Sequence, residues 1–179
     1  MQIATSTSGL LLRPWRSEDR LSLVKHGDSY KVWRNLTDMF PRPYTLEEAD
    51  RWVRFATSSV SGIHLAVSFE GEAIGGIGVI GKESNHRFTG KFGYWLGEEF
   101  WGRGFATSAA FAMVRYAFEE RTFARLEAPV FAWNPASARV LEKVGFFLEG
   151  VHRRDIFKDG QFTDSLMYAL IRGTEPTSN

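Results

Sequence analysis

The chain has no cysteine among its 179 residues, which excludes disulfides, thiolate metal sites and any cysteine-borne covalent intermediate at once. It has no apolar run near the roughly 20 residues a membrane-spanning helix needs. Its opening, Met1-Gln2-Ile3-Ala4-Thr5-Ser6-Thr7-Ser8, lacks the basic flank and apolar centre of a secretion signal, so a soluble, cytoplasmic protein without membrane contact is expected. An excess of one charge is missing too: 22 basic and 21 acidic side chains leave a net +1, and no overall field draws nucleic acid or an anionic surface. The four histidines, His26, His64, His86 and His152, stand without ligand spacing, and no metal is expected.

What remains fits one domain over residues 1–179, with 1–8 and 173–179 expected to be flexible. The most informative stretch is Tyr94-Trp95-Leu96-Gly97 followed by Glu98-Glu99-Phe100-Trp101-Gly102-Arg103-Gly104-Phe105-Ala106-Thr107. It reads as a strand that passes through a glycine turn into a helix. The helix follows from Phe105, Ala106, Ala109, Ala110, Met113, Val114, Ala117 and Phe118, paired at a four-residue recurrence that makes one apolar stripe. Glycines leave backbone N–H groups open, and the first helical turn has unpaired donors at the positive end of its dipole. Such a junction collects anions; the same letters also suit a well-packed tight turn.

Elsewhere, Leu10 to Trp15 reads as a strand and Ser17-Glu18-Asp19 as the start of a helix through Val24. Asp28 to Leu36 suggests a short helix, and Pro41 and Pro43 impose a loop. Thr45 with Glu48 three residues on is a capping box for a helix bearing Leu46, Ala49, Trp52, Val53 and Ala56. His64–Phe69 and Ala73–Ile80 about Glu70-Gly71 read as a hairpin, and Phe92–Leu96 as a further strand. Leu126–Ala132 is a strand in which Pro129 signals an interruption or an edge. Asn134-Pro135 caps a helix that Gly145 ends, and a second hairpin turns at Asp159-Gly160. The expected fold class is α/β: one domain with a mixed, mostly antiparallel sheet flanked by helices.

The order of strand, W-G-R-G-F-A-T turn, long helix and strand, then Asn134-Pro135-Ala136-Ser137 and Lys143-Val144-Gly145-Phe146, resembles the GNAT superfamily of N-acetyltransferases. Within it, the branch that acetylates the N-termini of ribosomal proteins (RimJ/RimL-like) is most similar. The resemblance spans Leu10 to Leu170 and is densest from Phe92 to Phe146. It implies a GNAT-type fold with splayed central strands and acetyl-CoA as cosubstrate, its pyrophosphate held by main-chain donors of Gly102, Arg103, Gly104, Phe105 and Ala106. Arg103 would add charge. Trp101 stands where the family pattern has glutamine or arginine, which implies aromatic packing there. Trp95 and Leu96 would flank the pantetheine arm, with the Leu96 N–H or an adjacent amide on the thioester carbonyl.

The resemblance further implies that Ser137 protonates the departing sulfur, because the tyrosine other branches place four residues later is Leu141 here. Asn134 would meet the pantetheine amides while also acting as an N-cap. For a general base, Asp155 and Asp38 are the first candidates, with Glu98, Glu99 or a water chain as alternatives. Arg153-Arg154 and Arg139 with Lys143 are basic pairs able to reach the 3′-phosphate or an acidic acceptor, or to serve as solvated surface. Trp15, Trp33, Phe40, Tyr44 and Trp52 either line a peptide groove or pack a core and a homodimer surface. The implied acceptor is an amine, first the N-terminal amine of a protein; polyamines, amino acids and aminoglycosides are the rivals, and a non-catalytic acyl-CoA sensor is the alternative of another class.

Overall fold

A computed structural model describes residues 1–59 and 62–174. The strands are β1 (Ile3–Ala4), β2 (Leu10–Pro14), β3 (Gly62–Phe69), β4 (Glu72–Gly81), β5 (Thr89–Leu96), β6 (Arg125–Phe131), β7 (Phe147–Lys158) and β8 (Gln161–Ile171). They form one sheet in the order β1-β2-β3-β4-β5-β6-β8-β7. Every neighbouring pair is antiparallel except β5 with β6. The helices are α1 (Arg20–Gly27), α2 (Tyr30–Trp33), α3 (Leu46–Ser58), α4 (Phe105–Glu119) and α5 (Pro135–Val144).

Alternation along the strands divides the core between the two faces of the sheet. On one face Leu10, Leu12, Ile63, Leu65, Val67, Phe92 and Leu96 bury against the apolar stripe of α4 and Leu141 and Val144 of α5. On the other, Trp15, Ala66, Ala73 and Trp95 meet Leu23 of α1 and Ala49 and Val53 of α3. Of the expected caps, Thr45 forms one half of its capping box, the Glu48 carboxylate pairing with Arg51 at 3.0 Å. Thr45 accepts from the Glu48 amide at 3.3 Å, Asn134 accepts from that of Ser137 at 3.2 Å, and Gly145 closes α5 at φ 99°.

The opening residues are tied down: β1 pairs with Leu11 and Leu12, and Ser6 and Thr7 meet the buried hydroxyl of Ser108 at 2.9 and 3.0 Å. Of the expected flexible tail, Gly173 and Thr174 continue from β8, the Thr174 amide donating to Ile171 O at 3.1 Å; residues 175–179 lie outside the described residues. The strand holding Pro129 is not interrupted, since β6 pairs with β8 along its whole length, but on its other side it is an edge at the proline. Arg125 donates its amide toward Phe88 on the β5 side and Ala132 toward Asp164 on the β8 side, so alternation aims the Pro129 nitrogen at β5. The β5–β6 ladder has by then ended, its last pair being Lys91 with Glu127. The proline lacks a donor at the point where the two parallel strands part.

Candidate active site

The parting strands open a cleft of ≈ 450 Å³ bordered by β5, β6 and the first turns of α4 and α5. One part of its border is the start of α4. Between the end of β5 and that helix lies a single 3₁₀ turn, Glu98–Phe100, so strand and helix are not joined directly. Gly102 and Gly104 then take φ of +72° and +79°, values that only glycine adopts freely. A Cβ built on either meets nothing within 4 Å. Gly104 caps α4 without any side-chain acceptor, and the Gly104 carbonyl takes its first amide from Ser108. The amides of Phe105, Ala106 and Thr107 are left as free donors, with the helix dipole behind them.

Lys91, Arg139 and Lys143 border the same cleft, and none of the three forms an ion pair among the described residues. No aspartate or glutamate borders it among the described residues. The edge of β5 supplies a second row of donors. The Gly97 amide goes to Ile74 of β4, so alternation turns those of Tyr94 and Leu96 toward the gap beside β6. The indole of Trp101 donates to Leu96 O at 2.9 Å, clasping the end of the strand; this hydrogen bond, with the ring 43% exposed, replaces the aromatic packing expected of Trp101.

Ser137 lies at the far wall, its Oγ 2.9 Å from the Tyr94 hydroxyl. Burial pushes the Tyr94 phenol up to about 12, against the opposing effect of the serine contact. Sequence reasoning passed over Tyr94 as one more strand residue. Its signal was the alternation itself, which puts a hydroxyl between Phe92 and Leu96 on a face that is otherwise apolar and so demands a partner.

Trp95, Leu96, Gly102, Gly104, Phe105, Ala106, Asn134 and Ser137 all border the cleft. The Arg103 side chain does not. Its guanidinium lies over the rings of Phe105, Phe69 and Phe100 at 4.5, 5.4 and 5.7 Å, where cation–π attraction holds it away from the turn's open side. Asp155 is also absent from the cleft. It lies within the register shift between His152 and Ile156 in β7, is exposed, and stands 3.8 Å from His152 Nδ1.

The other carboxylates are engaged elsewhere: Asp38 accepts from Lys158 Nζ at 2.7 Å, Glu98 pairs with Lys31, and Glu99 faces His26 Nδ1 at 3.1 Å. Among the aromatics, Trp15, Tyr44, Phe40 and Trp52 pack the second core, and Trp33 lies beneath the Lys158 ammonium at 3.7 Å. The residues of this region that border the cleft are instead Val32, Asn35, Leu36 and Thr37. Arg153 is paired with Asp164 at 2.9 Å and Arg154 lies over Phe162, so of the basic pairs only Arg139 and Lys143 reach the site.

Residues 9–147 match the family model described as an acetyltransferase (GNAT) domain. Among similar proteins, a putative ribosomal N-acetyltransferase of Bacillus subtilis, YdaF, is 30% identical over 115 residues, covering 64% of this chain and 62% of that protein. The chain thus spans just under two thirds of its length. The uncharacterised N-acetyltransferase YokL of the same organism is 28% identical over 166 residues, covering 91% and 90% of the two chains. Mycobacterium smegmatis RimJ, solved in complex with CoA-disulfide, superposes with a TM-score of 0.88 at 22% identity, covering 99% of this chain and 90% of that one; the likeness is one of fold.

Proposed function

The chain belongs to the GNAT family of acetyltransferases, and from that premise we propose that it is an acetyl-CoA-dependent N-acetyltransferase whose acceptor is the N-terminal amine of a protein. The observation that carries the reading is the convergence, in one cleft, of the α4 amides, the open edge of β5 and a paired Tyr94–Ser137 hydroxyl couple.

Acetyl-CoA supplies an acyl group already activated as a thioester. The Phe105, Ala106 and Thr107 amides hold its diphosphate through charge-assisted hydrogen bonds, and Lys91, Arg139 and Lys143 add positive charge. The β5 edge orients the pantetheine as an added strand would, and the Leu96 N–H stabilises negative charge on the carbonyl oxygen. Ser137 donates a proton to the departing sulfur. With no carboxylate bordering the cleft among the described residues, water carries away the proton shed by the attacking amine. Orientation of the two reactants supplies much of the acceleration.

Two considerations favour a protein N-terminus over small polycations. No carboxylate borders the cleft among the described residues, so a polyamine or aminoglycoside lacks there the anions it needs for pairing, and YdaF carries the description of a putative ribosomal N-acetyltransferase. A pure acyl-CoA sensor has no use for the hydroxyl couple. The test is thiol release from acetyl-CoA against peptides with free or blocked N-termini, polyamines and aminoglycosides, with wild type and Ser137→Ala. Turnover confined to free N-termini, lowered by Ser137→Ala with coenzyme affinity held, is expected. Turnover with polycations alone, or none across the panel despite coenzyme binding, would refute the reading.

A further inference from the structure

We infer that Tyr94 is a positioning residue for thioester cleavage, its phenol donating to Ser137 Oγ and so turning the serine's own proton into the cleft. The inference rests on the role proposed above for Ser137. The two hydroxyls come from β5 and α5, 43 positions apart in sequence, and stand 2.9 Å from one another. The other acceptor in reach of the phenol, the Ser137 carbonyl, is farther away at 3.3 Å.

A serine in the first turn of a helix ordinarily spends its proton on nearby backbone. Donation from Tyr94 fills a lone pair of Oγ and fixes its rotor, leaving that proton no better direction than the gap between β5 and β6. The phenol is itself immobilised, its ring packed against Phe92 with centroids 5.9 Å apart. Burial keeps it protonated, and therefore a donor, across neutral pH.

The proton balance closes. As the nitrogen–carbon bond forms and the carbon–sulfur bond breaks, sulfur takes the Ser137 proton and Oγ takes that of Tyr94. The phenolate recovers from water the proton that the attacking nitrogen has shed. A phenol is a stronger acid than an aliphatic alcohol, so the serine never carries a full negative charge.

Tyr94→Phe keeps the ring and removes only the hydroxyl. With chemistry isolated in single-turnover measurements, its rate is expected to fall on the order of tenfold to a hundredfold, with KM for acetyl-CoA within about twofold of wild type. In a Ser137→Ala background the same substitution should cost nothing further, because the two hydroxyls act as a unit. A second readout needs no coenzyme. In the ligand-free protein carrying tyrosine labelled with carbon-13 at Cζ, the Tyr94 resonance is the one that Tyr94→Phe removes, and Ser137→Ala should shift it.

Wild-type rates in Tyr94→Phe, a full independent loss in the Ser137→Ala background, or an unmoved resonance would each overturn the inference. If Ser137→Ala lowers the rate and Tyr94→Phe does not, the positioning role alone fails. If Ser137→Ala leaves the rate intact, the serine reading and the inference built on it fall together.

Discussion

Gly104→Ala separates two consequences of one methyl group. Inside the protein the new Cβ meets nothing within 4 Å, so the substitution creates no packing clash. What it does meet is a backbone at φ +79°, a left-handed conformation that costs a residue with a Cβ roughly 1–2 kcal/mol. For a domain of this size that lowers Tm by roughly 2–4 °C per kcal/mol. On the proposed function, the open space is nevertheless where a diphosphate would approach the Phe105, Ala106 and Thr107 amides. Loss of one hydrogen bond to a charged group costs about 1.5–3 kcal/mol, or roughly a tenfold to hundredfold rise in Kd for coenzyme A.

The control is Gly71→Ala at the β3–β4 turn. Gly71 has φ +92° and likewise open surroundings, but it does not border the cleft. Calorimetric titration with coenzyme A and thermal unfolding would be run on both variants. Both should lose a few degrees of Tm, and only Gly104→Ala should lose affinity. Unchanged affinity in Gly104→Ala, or an equal loss in Gly71→Ala, would refute the placement of the diphosphate.

Two further outcomes concern stability. The Arg13 guanidinium grips both Asp19 oxygens at 2.7 and 2.8 Å in a buried pair, so Asp19→Ala should cost about 3–5 kcal/mol in urea unfolding by stranding the cation; a loss under ~1 kcal/mol would mean the pair is solvated. His64 is buried between the Trp52 and Phe55 rings, and desolvation holds its pKa below the ordinary 6.5. The unfolded chain therefore takes up the proton first, and stability should decline as pH falls below about 6.5 toward the folded-state value. His64→Leu should remove that part of the decline, and an identical pH profile in the variant would exclude His64 as its source.

Much of the cleft is legible in the sequence because its parts are local. Gly102 and Gly104 are needed by their own φ angles, Asn134 caps the helix it precedes, and Gly145 ends it; each depends on residues within a few positions. What escaped reading depends on partners far along the chain. Ile3 and Ala4 form a strand only because Leu11 and Leu12 offer an edge and Ser108 anchors the polar link, a contact about a hundred residues away. Tyr94 announces itself through a partner 43 residues on. Pro129 was recognisable as a missing donor, but which neighbour goes without that donor is decided by strand order, and periodicity carries no information about order. Asp155 was chosen for following the strand after Phe146, yet no residue of β7 borders the cleft among the described residues.

Only three residue pairs join β5 to β6, so the sheet is two plates, of five strands and of three, meeting along a short seam. A molecule lodged in that seam acts as mortar, restoring by its own amides the continuity the backbone gives up there. On the proposed function, an acyl donor bound there should stabilise the fold in step with its concentration.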